Sequence, residues 1–201
     1  MNARIYVEGG GDFGNTKSAC RQAFHEFFSK FLPVGRQPRV IASGGRDKAF
    51  RNFNQALHDY AEHVIVLIVD SEGPVGVGTA AWTHLNSRDG WVRPGGVTDD
   101  QAQLMVQCME SWFLADRELL DSYYGQNFHA GSLPGGLVEN VAKNNVIDSL
   151  GHATRHTSKG KYLKSIHGFA LLAQVDPAKV RAASPRAEQL CTFLINTTAD
   201  I

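Results

Sequence analysis

The stretch VIVLIVDSEG, residues 64–73, joins an unbroken apolar run to two carboxylates. A short run of branched aliphatic residues bounded by turn residues is typical of a strand buried on both faces of a parallel sheet. The run is too short to cross a membrane. Asp70 and Glu72 therefore lie at the carboxyl end of a central strand, which is the edge where open α/β sheets bind their ligands.

The chain before this stretch alternates between strand and helix patterns. Residues 4–8 and 39–43 are rich in β-formers, and each run is followed by glycines and then by apolar residues at helical spacing. With the strand at 64–70, the order is β-α-β-α-β, which predicts a parallel sheet with right-handed crossovers.

The second half of the chain has weaker patterns. Residues 103–108 are a candidate fourth strand, and short helices and loops are expected after residue 116. A basic loop leads into a predicted helix over 162–173, and a last helix is predicted to start at 176–177. We therefore predict an α/β core over residues 1–116 and a helical C-terminal extension, residues 117–201, packed on that core.

The composition is that of an ordinary globular protein. Among 201 residues, 20 Lys and Arg balance 20 Asp and Glu, so nucleic acid could be attracted only by a local basic patch. Three widely spaced cysteines give neither a zinc spacing nor a disulfide framework, which is typical of a reducing compartment. The sequence shows no signal-peptide or transmembrane pattern, so we expect a cytoplasmic protein with no membrane contact.

Glycines after the first strand allow a dinucleotide-binding interpretation. Gly9, Gly11 and Gly14 satisfy G-x-G-x-x-G between a strand and a helix, as in NAD(P)-binding Rossmann proteins. Glu8 would repel a pyrophosphate there, and the second strand ends without an acid for a ribose hydroxyl, although Arg46 could meet a ribose phosphate. NAD(P) binding therefore remains an alternative.

The acids at the strand ends suggest a metal site. Glu8 ends the first strand as Asp70 ends the third, so Glu8, Asp70 and Glu72 meet at one edge if these strands are neighbours. Mg²⁺ is usually bound by one or two carboxylates and keeps waters for exchange with phosphate oxygens. The alternative is that these acids are solvated charges in ordinary turns.

Four short motifs carry a family resemblance: Val7-Glu8-Gly9, residues 69–73, residues 109–116 and residues 159–162. They resemble the TOPRIM fold of topoisomerases, primases and nucleases of the overcoming-lysogenization-defect type. More narrowly, they resemble an uncharacterised bacterial TOPRIM-like family often encoded beside an AAA-type ATPase and associated with phage defence. The resemblance implies a three-layer α/β sandwich with a mainly parallel four-stranded sheet, followed by a mostly helical part.

The resemblance also implies a function, which is Mg²⁺- or Mn²⁺-dependent cleavage of phosphodiester bonds in DNA or RNA by a nuclease. Glu72 stands where the family usually has Asp, and its longer side chain would shift the ion. The residues implied are Glu8, Asp70 and Glu72 as catalytic groups, the same three with Glu110 as metal ligands, and Lys159 and Lys161 as contacts to substrate phosphate.

Other interpretations stay open beside the nuclease. Glu110 is equally well explained as an acid at a helix N-terminus, where the helix dipole favours negative charge. The chain could also be a catalytically silent module that binds nucleic acid or an ATPase partner. A homodimer is a further candidate assembly.

Overall fold

A four-stranded parallel sheet forms the centre of the computed structural model, which describes residues 3–11 and 14–199. Its strands are β1 (Ala3–Val7), β2 (Arg39–Ala42), β3 (Val64–Asp70) and β4 (Ala102–Met105). They lie in the order β2-β1-β3-β4, so β3 is flanked by β1 and β4. The predicted α/β class with a four-stranded sheet is confirmed.

The register brings the carboxyl ends of three strands to the same level. Val7 of β1 pairs with Ile68 of β3, and the amide of Glu8 continues the ladder by donating to the Ile68 carbonyl at 3.0 Å. On the other side of β3, Asp70 pairs with Met105 of β4. Whatever follows β1, β3 and β4 is therefore brought to one edge of the sheet.

The fourth strand is shorter than predicted. It ends at Met105, although the expected run continued to residue 108. Val106 and Cys108 are fully buried, so the apolar pattern reports their burial, although the strand itself ends at Met105. A 3₁₀ turn, Met109–Ala115, begins after residues 106–108.

Helices cover both faces of the sheet and make three layers. They are α1 (Gly14–Ser29) on one face and α2 (Arg46–Asp59) and α3 (Ala81–Asp89) on the other. Because side chains alternate along a strand, Val66 and Ile68 join the apolar cluster under α1, while Leu67 and its alternate neighbours join the cluster under α2 and α3. The continuous apolar run of β3 thus serves two cores at once.

The C-terminal part is mostly helical and extends the cluster under α1. Its helices are α4 (Arg117–Tyr124), α5 (Lys143–Thr154), α6 (Phe169–Gln174), α7 (Pro177–Ala183) and α8 (Pro185–Ala199). Leu171 of α6 and Leu190 of α8 belong to the same cluster as Phe24 of α1, so one core crosses the predicted division at residue 116. The division itself remains a prediction. Over the part of the chain described, no helix is long and apolar enough to cross a membrane.

The helix predicted over 162–173 begins later than expected. Leu163 is extended, a π turn spans Lys164–Gly168, and regular helix starts only at Phe169. The amide of Leu163 donates to Nδ1 of His167 at 3.0 Å, so a side chain takes the place of a helical carbonyl as the partner of that amide. The prediction of one unbroken helix there was wrong.

The last predicted helix is two helices in the structure. Asp176 caps α7 by accepting from the amide of Ala178, as the Asp-Pro pair predicted. The chain then breaks at Ser184, which is extended ahead of Pro185. Proline disfavours helical geometry in the residue before it, and it has no amide hydrogen to continue the helical ladder. The sequence prediction had overlooked this break.

Candidate functional site

Four acidic side chains and two lysines form a cluster at the carboxyl edge of the sheet. Its members are Glu8, Asp70, Glu72, Glu110, Lys143 and Lys164. Glu8 directly follows β1 and Asp70 ends the neighbouring strand β3, so the adjacency on which the meeting of these acids depended is present. Both residues line one cleft of about 530 Å³. Burial and the nearby Asp70 carboxylate raise the pKa of Glu8, and the guanidinium of Arg46 only partly opposes them.

Asp70 is the most constrained of these acids. Its side chain is only 4% exposed, and its Oδ1 accepts the backbone amide of Met109 at 2.8 Å. Its Oδ2 lies 3.3 Å from Nζ of Lys143 and 3.6 Å from Nζ of Lys164. Burial raises the pKa of Asp70 more than the lysines and the amide lower it.

Glu72 lies two residues beyond Asp70 in a tight turn. Its backbone φ is +64°, a left-handed conformation that residues other than glycine adopt infrequently, and its amide donates to the Gln107 carbonyl at 2.9 Å. Its Oε1 lies 2.5 Å from Nζ of Lys143. One lysine therefore bridges Asp70 and Glu72.

Glu110 enters the cluster from the 3₁₀ turn after β4 and is fully buried. Its Oε1 accepts the Tyr162 hydroxyl at 3.1 Å and lies 3.2 Å from Nζ of Lys164. Burial lowers the pKa of Lys164, but Asp70 and Glu110 outweigh burial and raise it. Glu110 is thus an internal partner of a tyrosine and a lysine, contacts that the interpretation as an acid at a helix N-terminus did not include.

Arg46, at the start of α2, holds Glu8 from the other side. Its NH1 lies 3.3 Å from Oε2 of Glu8 and donates to the Asp70 carbonyl at 2.5 Å. Two further bonds from its guanidinium, at 2.9 and 2.7 Å, reach the carboxylate of Asp89 at the end of α3. The sequence had singled out Arg46 only as a candidate for a ribose phosphate.

The lysines at the acids are not the ones predicted from the sequence. Lys143 begins α5 and Lys164 lies in the π turn, and neither carries a local signal because its partners are distant in sequence. The predicted Lys159 and Lys161 are exposed and lie outside the lining of the cleft. Lys159 stands over the Tyr123 ring at 5.0 Å, and the stem of Lys161 lies against Gly151. Their contact with phosphate stays a prediction.

The carboxylates supply the hard oxygen donors that Mg²⁺ prefers. Within residues 3–11 and 14–199, however, no group of three or more His, Cys, Asp or Glu side chains is arranged to hold a metal ion. The ammonium group of Lys143 pairs with Asp70 and Glu72, and that of Lys164 pairs with Asp70 and Glu110. Both lysines neutralise the acids. The donor chemistry therefore fits a divalent cation, while lysines supply the positive charge in this structure.

Comparison with known proteins gives one match. The family model described as "Domain of unknown function (DUF4276)" matches residues 7–195, which include every acid and lysine of the cluster. No curated protein and no solved structure matches the chain.

Proposed function

The chain belongs to the DUF4276 family, and we propose that it cleaves phosphodiester bonds of nucleic acid with the help of Mg²⁺ or Mn²⁺. The observation that supports this most is the convergence of Glu8, Asp70 and Glu72 at the carboxyl ends of adjacent strands. Acids at these strand ends are also what the resemblance to TOPRIM nucleases implies.

In this proposal Asp70 and Glu72 hold the cation. Both carboxylates share Lys143, whose side chain is 28% exposed and is attached by ion pairs that a cation would compete for. Glu110 adds a buried negative charge to the site, and its contacts with Tyr162 and Lys164 fix its orientation. Bound Mg²⁺ would polarise the phosphate and lower the pKa of a coordinated water.

Glu8 is suited to move a proton. Its side chain is 22% exposed in the cleft, so it can reach a ligand, and its raised pKa lies closer to neutral pH than that of a free carboxyl group. Arg46 holds the carboxylate in place through one bond while remaining anchored to Asp89. We assign Glu8 the role of general acid or base.

The lysines would stabilise negative charge on the substrate. Lys164 is half exposed along its side chain and lines the cleft beside Asp70. A positive group placed where charge develops in a transition state lowers the barrier. Lys159 and Lys161 would contact phosphates farther along the nucleic-acid strand, as the resemblance implies.

A second candidate function is a catalytically silent module that binds nucleic acid or an AAA-type ATPase. The specific observation in its favour is that Lys143 and Lys164 already neutralise the acids. In either case the resemblance supports a role in an ATPase-coupled bacterial defence system, with a homodimer as a candidate assembly. NAD(P) binding remains the third alternative, with the glycine loop after β1 as its support.

A nuclease assay separates these functions. Single-stranded and duplex DNA and RNA are incubated with the protein in EDTA, Mg²⁺ and Mn²⁺, alone and with the ATPase encoded nearby if there is one. We expect cleavage with a divalent cation and none in EDTA. Binding without cleavage under every condition would establish the silent module instead, and tight binding of NAD(P) would favour the third alternative.

A further inference from the structure

The cleft beside the carboxylates is the size of a small-molecule site. Its volume of about 530 Å³ falls within the range of about 300–1,000 Å³ that is usual for such sites. The glycine loop 9–11 lines it together with residues 163–165 and Phe169, and it includes Glu8 and Asp70. A ligand in this cleft therefore has the acids beside it.

One part of the cleft is apolar and continues the core. The buried Met105 and Met109 line it from the core side, and Leu163 beside them is 49% exposed. The ring of Phe169 is partly buried and reaches the glycine loop, 3.7 Å from where a side chain on Gly9 would begin. Aromatic faces stack on nucleobases, so the ring of Phe169 together with the exposed Leu163 gives a base an apolar surface to pack against.

The glycine loop presents backbone rather than side chains. Gly9 has a φ of +143°, and a Cβ there would lie 3.1 Å from Sγ of Cys20. A Cβ on Gly10, which has a φ of +81°, would lie 2.8 Å from the Cα of Lys17. The conformation thus requires glycine at both positions, and these close contacts hold the loop against α1 while its backbone lines the cleft.

The charges within the cleft give a ligand one orientation. Lys164 is the cation among the lining residues, with Ser165 next to it, whereas Glu8 and Asp70 are anionic. A phosphate is therefore attracted toward Lys164, and an uncharged base is favoured against Leu163 and Phe169.

We propose that this cleft takes one unpaired nucleotide of a single-stranded nucleic acid, with its base against Phe169 and Leu163 and its phosphate at Lys164. A base in a duplex would first have to leave its stack and its partner, whereas an unpaired base enters without that cost. This substrate preference rests on the proposed function, because the phosphate so placed lies beside the catalytic acids.

Binding measurements test the proposal without relying on cleavage. Fluorescence anisotropy gives the affinity for labelled single-stranded DNA, single-stranded RNA and duplex DNA of one sequence, with Ca²⁺ as the divalent cation. The test variants are Phe169→Leu and the exposed Leu163→Ala. Their matched controls are Phe193→Leu, which lines a different cavity, and Leu137→Ala, another exposed leucine.

We expect single strands to bind more tightly than duplex. Phe169→Leu should weaken single-strand binding by about tenfold, which lies within the range that stacking of one base on an aromatic ring contributes, and Leu163→Ala should weaken it by a smaller factor. Both controls should bind like the parent. The DNA and RNA arms identify the preferred sugar.

Equal binding of duplex and single strand would overturn the proposal, and so would unchanged affinity in Leu163→Ala and Phe169→Leu. A free nucleoside monophosphate bound as tightly as the oligonucleotide would overturn its polymeric part. Failure of the nuclease is a separate result, because a silent module can still show the single-strand preference. Conversely, cleavage with equal duplex binding would leave the nuclease standing and remove only this inference.

Discussion

The acids and the lysines of the cluster come from regions that are held in different ways. Asp70 pairs with Met105 in the ladder to β4, its Oδ1 accepts the amide of Met109, and its side chain is 4% exposed. Lys164 comes from a π turn more than 50 residues after β4, is 48% exposed, and is attached to the acids only through its side chain. The difference indicates that the sheet edge sets the position of the negative charge, while the C-terminal helices supply a counter-charge that can be exchanged.

The largest expected effect tests the sheet edge. Asp70→Asn keeps the shape of the side chain but removes its charge, so we expect nuclease activity to fall at least about 100-fold. Asp148→Asn, an exposed aspartate on α5, is the matched control and should keep full activity. Retention of activity by Asp70→Asn would mean that the most constrained acid has no chemical role.

The next effect tests the counter-charge. Lys164→Met leaves the fully buried Glu110 with the Tyr162 hydroxyl as its remaining partner, so we expect the free energy of unfolding to fall by about 2 kcal/mol. Lys159→Met, at an exposed lysine over Tyr123, should change it by no more than about 0.5 kcal/mol. Urea denaturation measures both. Equal effects would mean that Lys164 is an ordinary surface residue.

A pH-dependent effect tests the cost of placing Glu8 at the edge. Burial and Asp70 raise its pKa, so the native state binds this proton more tightly than the unfolded chain. Ionisation of Glu8 therefore lowers the free energy of unfolding as the pH rises from the ordinary value of 4.5 through the raised pKa. We expect Glu8→Gln to melt at a higher temperature than the parent at pH 8.

The same variant should lose this advantage below pH 4, where the carboxyl of the parent is protonated in both states. Melting curves at the two pH values measure the change, and Glu62→Gln, at an exposed glutamate, is the control with no such trend. A parent that is more stable than Glu8→Gln at pH 8 would show that the bond to Arg46 outweighs the burial of Glu8.

The smallest effect concerns the loop at residues 159–161. Lys161 is exposed and its stem lies on Gly151, so Lys161→Ala should change stability by less than about 0.5 kcal/mol. If it contacts a phosphate, nucleic-acid binding should weaken and the salt dependence should flatten by about one unit of slope. Lys48→Ala, on the exposed side of α2, should alter neither. An unchanged salt titration for Lys161→Ala would confine phosphate contact to the cluster lysines.

The sequence predicted the sheet because its signals there are local. Seven consecutive residues of β3 carry both the burial pattern and the terminal acid, and the β-α-β repeat predicts that the strands are parallel. The strand order β2-β1-β3-β4, which makes β1 and β3 neighbours, was left open by the sequence. The lysine partners had no such signal, since Lys143 reaches Glu72 across 71 positions of sequence. The basic pair at 159 and 161 was more conspicuous in sequence, yet the irregular turn after Tyr162 directs Lys164 to the acids.

Metal binding decides whether Asp70 and Glu72 form a site for a divalent cation. Calorimetric titration of Mg²⁺ or Mn²⁺ into the protein, with a non-cleavable phosphate-bearing oligonucleotide present, should show binding by the parent and none by Asp70→Asn, because a hard cation needs the charged oxygens of Asp70 and Glu72. Equal binding by parent and variant, or no binding by the parent, would contradict the account and leave the carboxylates as partners of the lysines alone.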